Sequence, residues 1–513
     1  MFATLSVAAI LAESARRYAE HPAVTLNGES VSYAQLWEQT RAYAGALSAQ
    51  GVGEDSRVAI LMPNVTDFAR TYYAVLALGG TVVPVHALLK RHEIEYVLSD
   101  AGATLLVCAA PLLAEGQPAA EAAGAGIVTV LAPEGHALPR LEDLAAAAEP
   151  ITGYVPRQPD DIATILYTSG TTGKPKGALG THLALVEQVN VLLTSTFDIR
   201  ERDRIFGGLP LFHTFGQTVV LNTGLRAGAE VVLLPKFTPD AALDLVEAGI
   251  DIFCAVPTMY VGLLAGLRQR GASAKSGGLR YAISGGSALT LAVLNDFEEA
   301  FGARIYEGYG LTETSPVACF NHVGREPVPG TVGQAIWGVD VEIARPELPD
   351  AIELLPTGEL GEIVIRGHNL FSGYLNRPDA TAEAIVDGWF RSGDLGTKDE
   401  DGYIRILDRK KDMILRNGYN VYPREVEEVL VGHPDVANAA VFGVPDDVHG
   451  EEIAAAVSLA PGSGLTADEL RAYAEERLAS YKFPRLIQIV EEFPMGPSGK
   501  ILKRELVAGY RRD

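Results

Sequence analysis

The apolar run Ile162–Leu166 leads without a break into the string Tyr167-Thr168-Ser169-Gly170-Thr171-Thr172-Gly173-Lys174-Pro175-Lys176-Gly177. No other stretch constrains the fold as tightly. The run reads as a buried strand. The string after it carries three glycines, with hydroxyls and a lysine between them, and reads as a mobile loop. Backbone N–H groups, hydroxyls and an ammonium on such a loop can wrap a polyphosphate. The spacing is not that of a Walker A loop, which needs Gly-x4-Gly-Lys followed by Ser or Thr.

A strand ending in such a loop calls for an α/β frame, and the flanking sequence supplies one. The first 150 residues alternate helical and strand-like runs. Tyr33–Gln50 has helical spacing, while Arg57–Met62, Thr81–Val85 and Thr104–Cys108 read as buried strands. Such alternation predicts parallel sheets covered by helices. Ala109–Pro150, rich in alanine and broken by Gly and Pro, reads as surface helix and loop. The α/β pattern continues from Ile162 to about Tyr306. Thr331–Ile406 has short strands and frequent turns. Beyond the charged run Asp408-Arg409-Lys410-Lys411-Asp412 comes a compact α+β unit. There Pro423 opens a helix with Val426, Val429 and Leu430 on one face, and Thr466 caps another. The expected architecture is a large N-terminal domain over 1–407, with two parallel-rich sheets and a mostly β subdomain at 331–407. A small mobile C-terminal domain over 408–513 follows.

The chain has 513 residues, more than one ordinary core accommodates. Its formal net charge of −23 repels phosphate backbones, which argues against nucleic acid and anionic membrane as partners. A nucleotide must then be held by local loops and a few placed cations. Cys108, Cys254 and Cys319 have neither metal-ligand spacing nor a disulfide pattern, which fits a reducing, cytoplasmic setting. Leu5–Tyr18 reads as an amphipathic surface helix rather than a signal peptide. No apolar stretch is long enough to span a bilayer, so stable membrane insertion is not expected.

Several further motifs accompany the glycine-rich string. Ser284-Gly285-Gly286-Ser287 and Gly308-Tyr309-Gly310-Leu311-Thr312-Glu313-Thr314 each follow an apolar run. Trp389-Phe390-Arg391-Ser392-Gly393-Asp394, Asp408-Arg409 and Arg416-Asn417-Gly418-Tyr419 come later, and Pro497-Ser498-Gly499-Lys500 lies near the C-terminus. In this order the set resembles the adenylate-forming superfamily of acyl-CoA synthetases, luciferases and adenylation domains, over essentially the whole chain. The resemblance to a fatty acyl-CoA synthetase implies ATP, Mg2+ and coenzyme A as a substrate.

What the resemblance implies can be set out residue by residue. Thr168, Ser169, Gly170, Thr171, Thr172, Gly173 and Lys174 would hold the phosphates. Ser284, Gly285, Gly286, Gly308, Tyr309, Gly310 and Thr312 would enclose the adenine, whose flat ring can stack on Tyr309. Glu313, with Thr168, would hold the metal, since a hard cation needs oxygen donors. Asp394 would take the ribose hydroxyls, with Arg409 holding ribose or phosphate. Lys500 would be catalytic: as the carboxylate attacks the α-phosphorus, an ammonium stabilises the growing negative charge. Lys411 matches the hinge. Arg416, Gly418 and Tyr419 resemble the loop lining the pantetheine channel, where a side chain at 418 would obstruct the thiol. Pro210-Leu211-Phe212-His213-Thr214-Phe215-Gly216 resembles the segment beside the acyl group, with His213 near the reacting carboxylate. Phe212, Phe215, Val219, Val220, Pro316 and Val317 are the apolar candidates for the pocket.

The expected reaction makes acyl-AMP and pyrophosphate, then acyl-CoA and AMP, from a carboxylic acid of medium or long apolar chain. Open alternatives are an aryl-acid CoA ligase, an acyl-AMP ligase loading a carrier protein, and a non-catalytic nucleotide-binding module. Pro494 lies six residues before Lys500, a spacing that resembles the lysine-acetyltransferase site of relatives. Monomer and homodimer both stay open.

Overall fold

The computed structural model describes residues 5–168, 174–271, 278–446, 448–460, 462–495 and 501–510. The chain divides into two compact units. The first comprises residues 1–289, 293–341 and 365–390. The second comprises 290–292, 342–364 and 391–513.

The first unit carries two sheets. One has six strands, in the spatial order Gly126–Val130, Leu105–Ala109, Arg57–Leu61, Thr81–Val85, Ile162–Thr168 and Lys176–Thr181. All neighbours pair parallel except the last two, which form an antiparallel hairpin around the glycine-rich string. The other has nine strands and a parallel centre: Arg304–Gly310, Tyr281–Ser284, Ile252–Ala255, Arg204–Gly207, Glu230–Leu233 and Pro22–Leu26. Antiparallel strands close both edges. Strands covered on both faces read as continuous apolar runs, as in Ile252–Ala255, where every residue is buried.

The expected α/β frame with two parallel-rich sheets is therefore present. One strand departs from expectation. Gly126–Val130 is a full sheet member, although Ala109–Pro150 reads as helix and loop. Its apolar run is short and follows Gly124-Ala125-Gly126, so punctuation masks it.

The helix Thr66–Ala77 is buried at every position but Arg70. It delivers Tyr72 and Tyr73 to the interior, where both meet Asn222. Tyr73 donates to the Asn222 amide oxygen at 2.7 Å, and the amide nitrogen donates to the Tyr72 hydroxyl at 3.2 Å. Cys108, Cys254 and Cys319 are all buried strand residues. Desolvation pushes the thiols of Cys108 and Cys254 up to about 12. No helix among the described residues is long and apolar enough to cross a membrane.

The N-terminal helix spans Ala8–Arg17 and packs on neighbouring helices, with Ile10, Leu11 and Ala15 among its buried residues. Its first turn is tied down by a buried histidine: the Val7 amide donates to His182 Nδ1 at 3.0 Å. Burial, and next the nearby Arg157, push the His182 imidazole down to about 4. The fold therefore needs the ring neutral. In the unfolded chain the ring titrates near 6.5, so this contribution is complete above that pH. It is lost as pH falls towards 4, by roughly 3 kcal/mol in all. Urea midpoints at pH 7 and 4.5 check this. His182→Gln keeps an acceptor for Val7 without the titration, and should lose distinctly less stability than the parent between the two pH values.

In the second unit, a long hairpin of Val436–Asp446 and Gly450–Leu459 is extended by Ile414–Arg416, Tyr419–Val421 and the parallel strand Leu486–Ile489. Strand alternation splits its apolar residues between two faces. Ala439, Val441, Ile453 and Val457 join Val426 and Leu430 of the helix Pro423–Val431. Phe442 and Val444 instead receive Leu506 and Tyr510 at the end of the chain. Thr466 caps the helix Ala467–Glu475 in a reciprocal box with Glu469. A second hairpin, Trp389–Lys398 with Ile404–Arg409, puts Asp394 opposite Arg409.

Candidate active site

The strands on either side of the glycine-rich string are bolted to one helix, Arg91–Ala101. Tyr96 and Asp100 lie four residues apart and so share a face. Tyr167 donates to the Asp100 carboxylate at 2.8 Å, and Tyr96 donates to the Pro175 carbonyl at 2.8 Å. Arg377 closes the group at 3.1 Å from Asp100. The Lys174 ammonium stands 5.2 Å over the Tyr96 ring. Thr168 Oγ1 reaches the Lys176 carbonyl at 3.5 Å. Ser169, Gly170, Thr171, Thr172 and Gly173 lie outside the described residues, as does Lys500.

A short segment, Phe371–Leu375, links that string to Glu313. Its backbone pairs with the strand Lys176–Thr181: Leu179 N donates to Gly373 O, Ser372 N to Leu179 O and Leu375 N to Gly177 O. On its other side Phe371 N donates to the Glu313 carbonyl at 2.9 Å, and Tyr374 donates to Glu313 Oε1 at 2.6 Å. Burial, and then the Glu313 carboxylate, push the Tyr374 hydroxyl far above its ordinary value, so it remains a neutral donor. The Lys176 ammonium lies 5.0 Å over the Tyr374 ring. Glu313 is thus a nearly buried carboxylate held in one orientation beside the base of the glycine-rich string. Neither Tyr374 nor Phe371 was singled out by sequence reasoning, because the Tyr374–Glu313 pair spans 61 residues and has no local signature.

The two glycine turns end neighbouring parallel strands, Tyr281–Ser284 and Arg304–Gly310, at their carboxyl ends. Open α/β sheets place ligands there. Gly286 has φ +85°, which an L side chain rarely adopts. A Cβ at Gly310 would overlap the Pro316 carbonyl oxygen. The turn Thr312–Thr314 is braced by Thr314, whose hydroxyl accepts from Leu311 N at 2.8 Å. Gln188, fully buried, completes the support. With its amide nitrogen turned inward it donates to the Thr314 and Val317 carbonyls, each at 3.1 Å. Tyr309 is largely buried in the strand. The Ser284 hydroxyl is buried with no partner.

The segment 210–216 meets the first of these turns directly. A Cβ on Gly285 would lie 3.3 Å from the Phe215 ring. Phe215–Asn222 is a π-helical stretch in which Val219 and Val220 are buried. Asn64 staples the residues before it, donating to the Gly207 and Leu209 carbonyls and accepting from Leu211 N. Phe212 packs on His86 at 4.2 Å between ring centroids. His213 is exposed, and its Nδ1 accepts from Phe215 N at 3.3 Å. Pro316 and Val317, both buried, follow the Thr312–Thr314 turn. Three side-chain oxygens along this stretch are buried without partners: those of Thr214, Gln217 and Thr218.

In the second unit Arg409 pairs with the buried Asp394 at 3.1 Å. Lys411 is exposed two residues on. Arg416 is turned inward, with Nε and Nη2 at 2.7 and 2.9 Å from the Glu452 carboxylate. Gly418 has φ +78° and open space around it. Tyr419 is exposed and stacks on Tyr481 at 4.7 Å.

Comparison with known proteins gives this geometry a context. The model of the AMP-binding enzyme family matches residues 11–375, and that of the AMP-binding enzyme C-terminal domain matches residues 425–500. The chain belongs to the AMP-binding enzyme family. It is 33% identical to a long-chain-fatty-acid–CoA ligase of Bacillus subtilis, over 97% of this chain and 93% of that one. It is 38% identical to a feruloyl-CoA synthase of Amycolatopsis, over 94% and 95%. The crystal structure of ATP-bound MatB from Rhodopseudomonas palustris superposes with a TM-score of 0.90 at 33% identity, over 98% and 99% of the two chains.

This AMP-binding enzyme is an AMP-forming acid–CoA ligase that uses ATP, Mg2+ and coenzyme A. The reading as a non-catalytic nucleotide-binding module is thereby set aside. Among the described residues, no three His, Cys, Asp or Glu side chains group into a metal cage. Magnesium does not need one. It is commonly held by one or two carboxylates together with substrate phosphates. Glu313, fixed by Tyr374 on a segment that pairs with the strand Lys176–Thr181, fits that donor set, and magnesium there would neutralise phosphate charge.

Proposed function

We propose that this ligase activates a monocarboxylic acid with an apolar body, a medium- or long-chain fatty acid first of all. The observation that carries this reading is the stretch from Leu211 to Leu225, which contains no Lys, Arg, Asp or Glu. Val219 and Val220 are buried in it, and Phe215 stands against the Gly285 turn. A second carboxylate brought here would find no cation on this stretch, and burying it unpaired is costly. The likeness to long-chain-fatty-acid–CoA ligases supports the same reading.

A second reading is an aryl acid bearing a ring hydroxyl. The unpartnered oxygens of Thr214, Gln217 and Thr218 favour it, since a buried polar group gains by acquiring a partner. The 38% identity to feruloyl-CoA synthase points the same way.

In either case Glu313 and Thr168 hold the metal, and Ser169–Lys174 wrap the phosphates. Gly285, Gly286, Tyr309 and Gly310 frame the adenine. Asp394 and Arg409 take the ribose, and Lys500 stabilises the charge that develops at phosphorus. His213 stands near the reacting carboxylate. The functional boundary falls at the charged run, between 407 and 408, with Lys411 as pivot. Arg416, spent on Glu452, serves to hold the loop that presents Gly418 and Tyr419 to the pantetheine arm. A cytoplasmic location suits a ligase with three thiols, and acetylation of Lys500 would silence it by removing the ammonium charge.

The test is a pyrophosphate-release screen with and without coenzyme A, over saturated acids of four to eighteen carbons, benzoate, hydroxycinnamates and malonate. Each buried methylene is worth about 0.8 kcal/mol, so kcat/KM should climb with chain length until the pocket is full. A maximum at a hydroxycinnamate would select the aryl reading. A maximum at malonate would defeat both. Release that does not depend on coenzyme A, followed by transfer to a carrier protein, would select the acyl-AMP ligase.

A further inference from the structure

Asp100 stands where its own helix gains nothing from it. It is the penultimate residue of Arg91–Ala101, and a carboxylate at a helix C-terminus opposes the dipole. The last turn of that helix holds no basic residue to offset it. Its partners lie on other elements. Asp100 Oδ2 accepts from the Tyr167 hydroxyl at 2.8 Å, and Oδ1 accepts from Arg377 Nη2 at 3.1 Å. The Asp100 side chain is 12% exposed against 41% for Arg377, so the carboxylate is the buried member of the pair.

These contacts converge from three directions, all within the first unit. Tyr167 and Thr168 close the strand Ile162–Thr168, and Lys176 faces Thr168 across the hairpin. Tyr96, one turn before Asp100, holds the returning arm through the Pro175 carbonyl at 2.8 Å. Its ring meets the Tyr167 ring edge-on, with centroids 6.2 Å apart. Arg377 follows the segment Phe371–Leu375, whose Tyr374 bonds Glu313. Leu375 is packed in the same core as Ile94, Val97 and Ala101 of the helix. One helix face thus touches both arms of the hairpin and the stretch of chain that fixes Glu313.

We propose that Asp100 is a positioning residue for ATP. Its carboxylate ties the arm that ends in Thr168 to the segment that orients Glu313. Tyr96 keeps the returning arm, with Lys174 and Lys176, in register with both. This rests on the reading of Thr168 and Glu313 as metal donors and of Lys174 as a phosphate cation. Those groups come from separate elements and must meet one magnesium triphosphate together, so their spacing has to be set before the nucleotide arrives. Without the carboxylate each group is still present, but the nucleotide itself must order them, which lowers affinity.

The experiment measures binding of a non-hydrolysable ATP analogue with magnesium by titration calorimetry, beside KM for ATP and KM for the acid. Asp100→Ala should weaken analogue binding and raise KM for ATP about 10-fold, while KM for the acid stays near the parent value. Tyr167→Phe should cause a smaller loss of the same kind. Added to Asp100→Ala it should cause no further loss, because both act through one carboxylate. An equal rise in both KM values, unchanged analogue binding, or losses that add in the double variant overturns the proposal. Should Asp100→Ala fail to fold, Arg377→Gln breaks the pair at its exposed member and must show the same ATP-selective loss. Lys174→Ala separates the two readings. If it leaves analogue binding intact, the phosphate role of Lys174 fails and the proposal falls with it. If it weakens binding while Asp100→Ala does not, the positioning role alone is wrong.

Discussion

Lys500→Ala is expected to slow pyrophosphate release by a factor on the order of 10²–10³, while thiolysis of supplied acyl-adenylate stays close to the parent rate. The asymmetry follows from where charge develops. In the first half-reaction a carboxylate oxygen attacks the α-phosphorus, pyrophosphate leaves, and negative charge accumulates on the oxygens of a five-coordinate centre. A placed ammonium stabilises that arrangement more than it stabilises bound ATP. In the second half-reaction a thiolate attacks the acyl carbon and AMP leaves, with charge building on the acyl oxygen instead. KM for ATP should change little, because the lost interaction belongs to the transition state. Rapid-quench measurement of both half-reactions checks the result. Equal slowing of the two would mean that Lys500 acts in a site common to both, and that no rearrangement of the C-terminal segment separates the steps.

Gly418→Leu should do the opposite. Pyrophosphate exchange persists, and thioester formation falls about 10²-fold, because the added side chain occupies the approach of the pantetheine arm. Gly418 has φ +78°, so any L residue there carries backbone strain of roughly 1–2 kcal/mol. That strain must be separated from obstruction. Gly418→Ala suffers the same strain with little bulk, and no atom lies within 4 Å of its Cβ. Alanine should therefore retain most thiolysis and leucine should not. If the two substitutions were equally harmful, strain and not a blocked channel would explain the loss.

The sheets were legible in the sequence where their strands are buried on both faces. Arg57–Leu61 and Thr81–Val85 announce themselves as unbroken apolar runs. Two of the C-terminal helices were legible through their ends, Pro423 opening one and Thr466 capping the other. Gly126–Val130 was hidden because a five-residue strand behind a Gly-Ala-Gly turn has no periodicity to show. The family was legible by resemblance, through motifs that recur in order along the chain. What could not be read was the support. Tyr374 and Gln188 act on Glu313 and the Thr314–Val317 turn through contacts between residues far apart in the chain. A tyrosine that orients a carboxylate looks like any other tyrosine until folding brings the two together. The inward turn of Arg416 onto Glu452 is of the same kind.

The buried thiols make a built-in clock. Cys108 sits in the six-stranded sheet, while Cys254 and Cys319 sit in the nine-stranded one. With Cys108 and Cys254 held near 12, only about one in 10⁵ of those groups is thiolate at neutral pH, and the thiolate is the form that reacts. An enzyme whose own substrate is a thiol thus keeps its sulfurs out of exchange with coenzyme A and its disulfides. The rate at which an alkylating reagent reaches each cysteine reports how often its sheet opens. Mass-spectrometric assignment of the labelled residue would time the two sheets separately, in the unmodified chain and while it turns over.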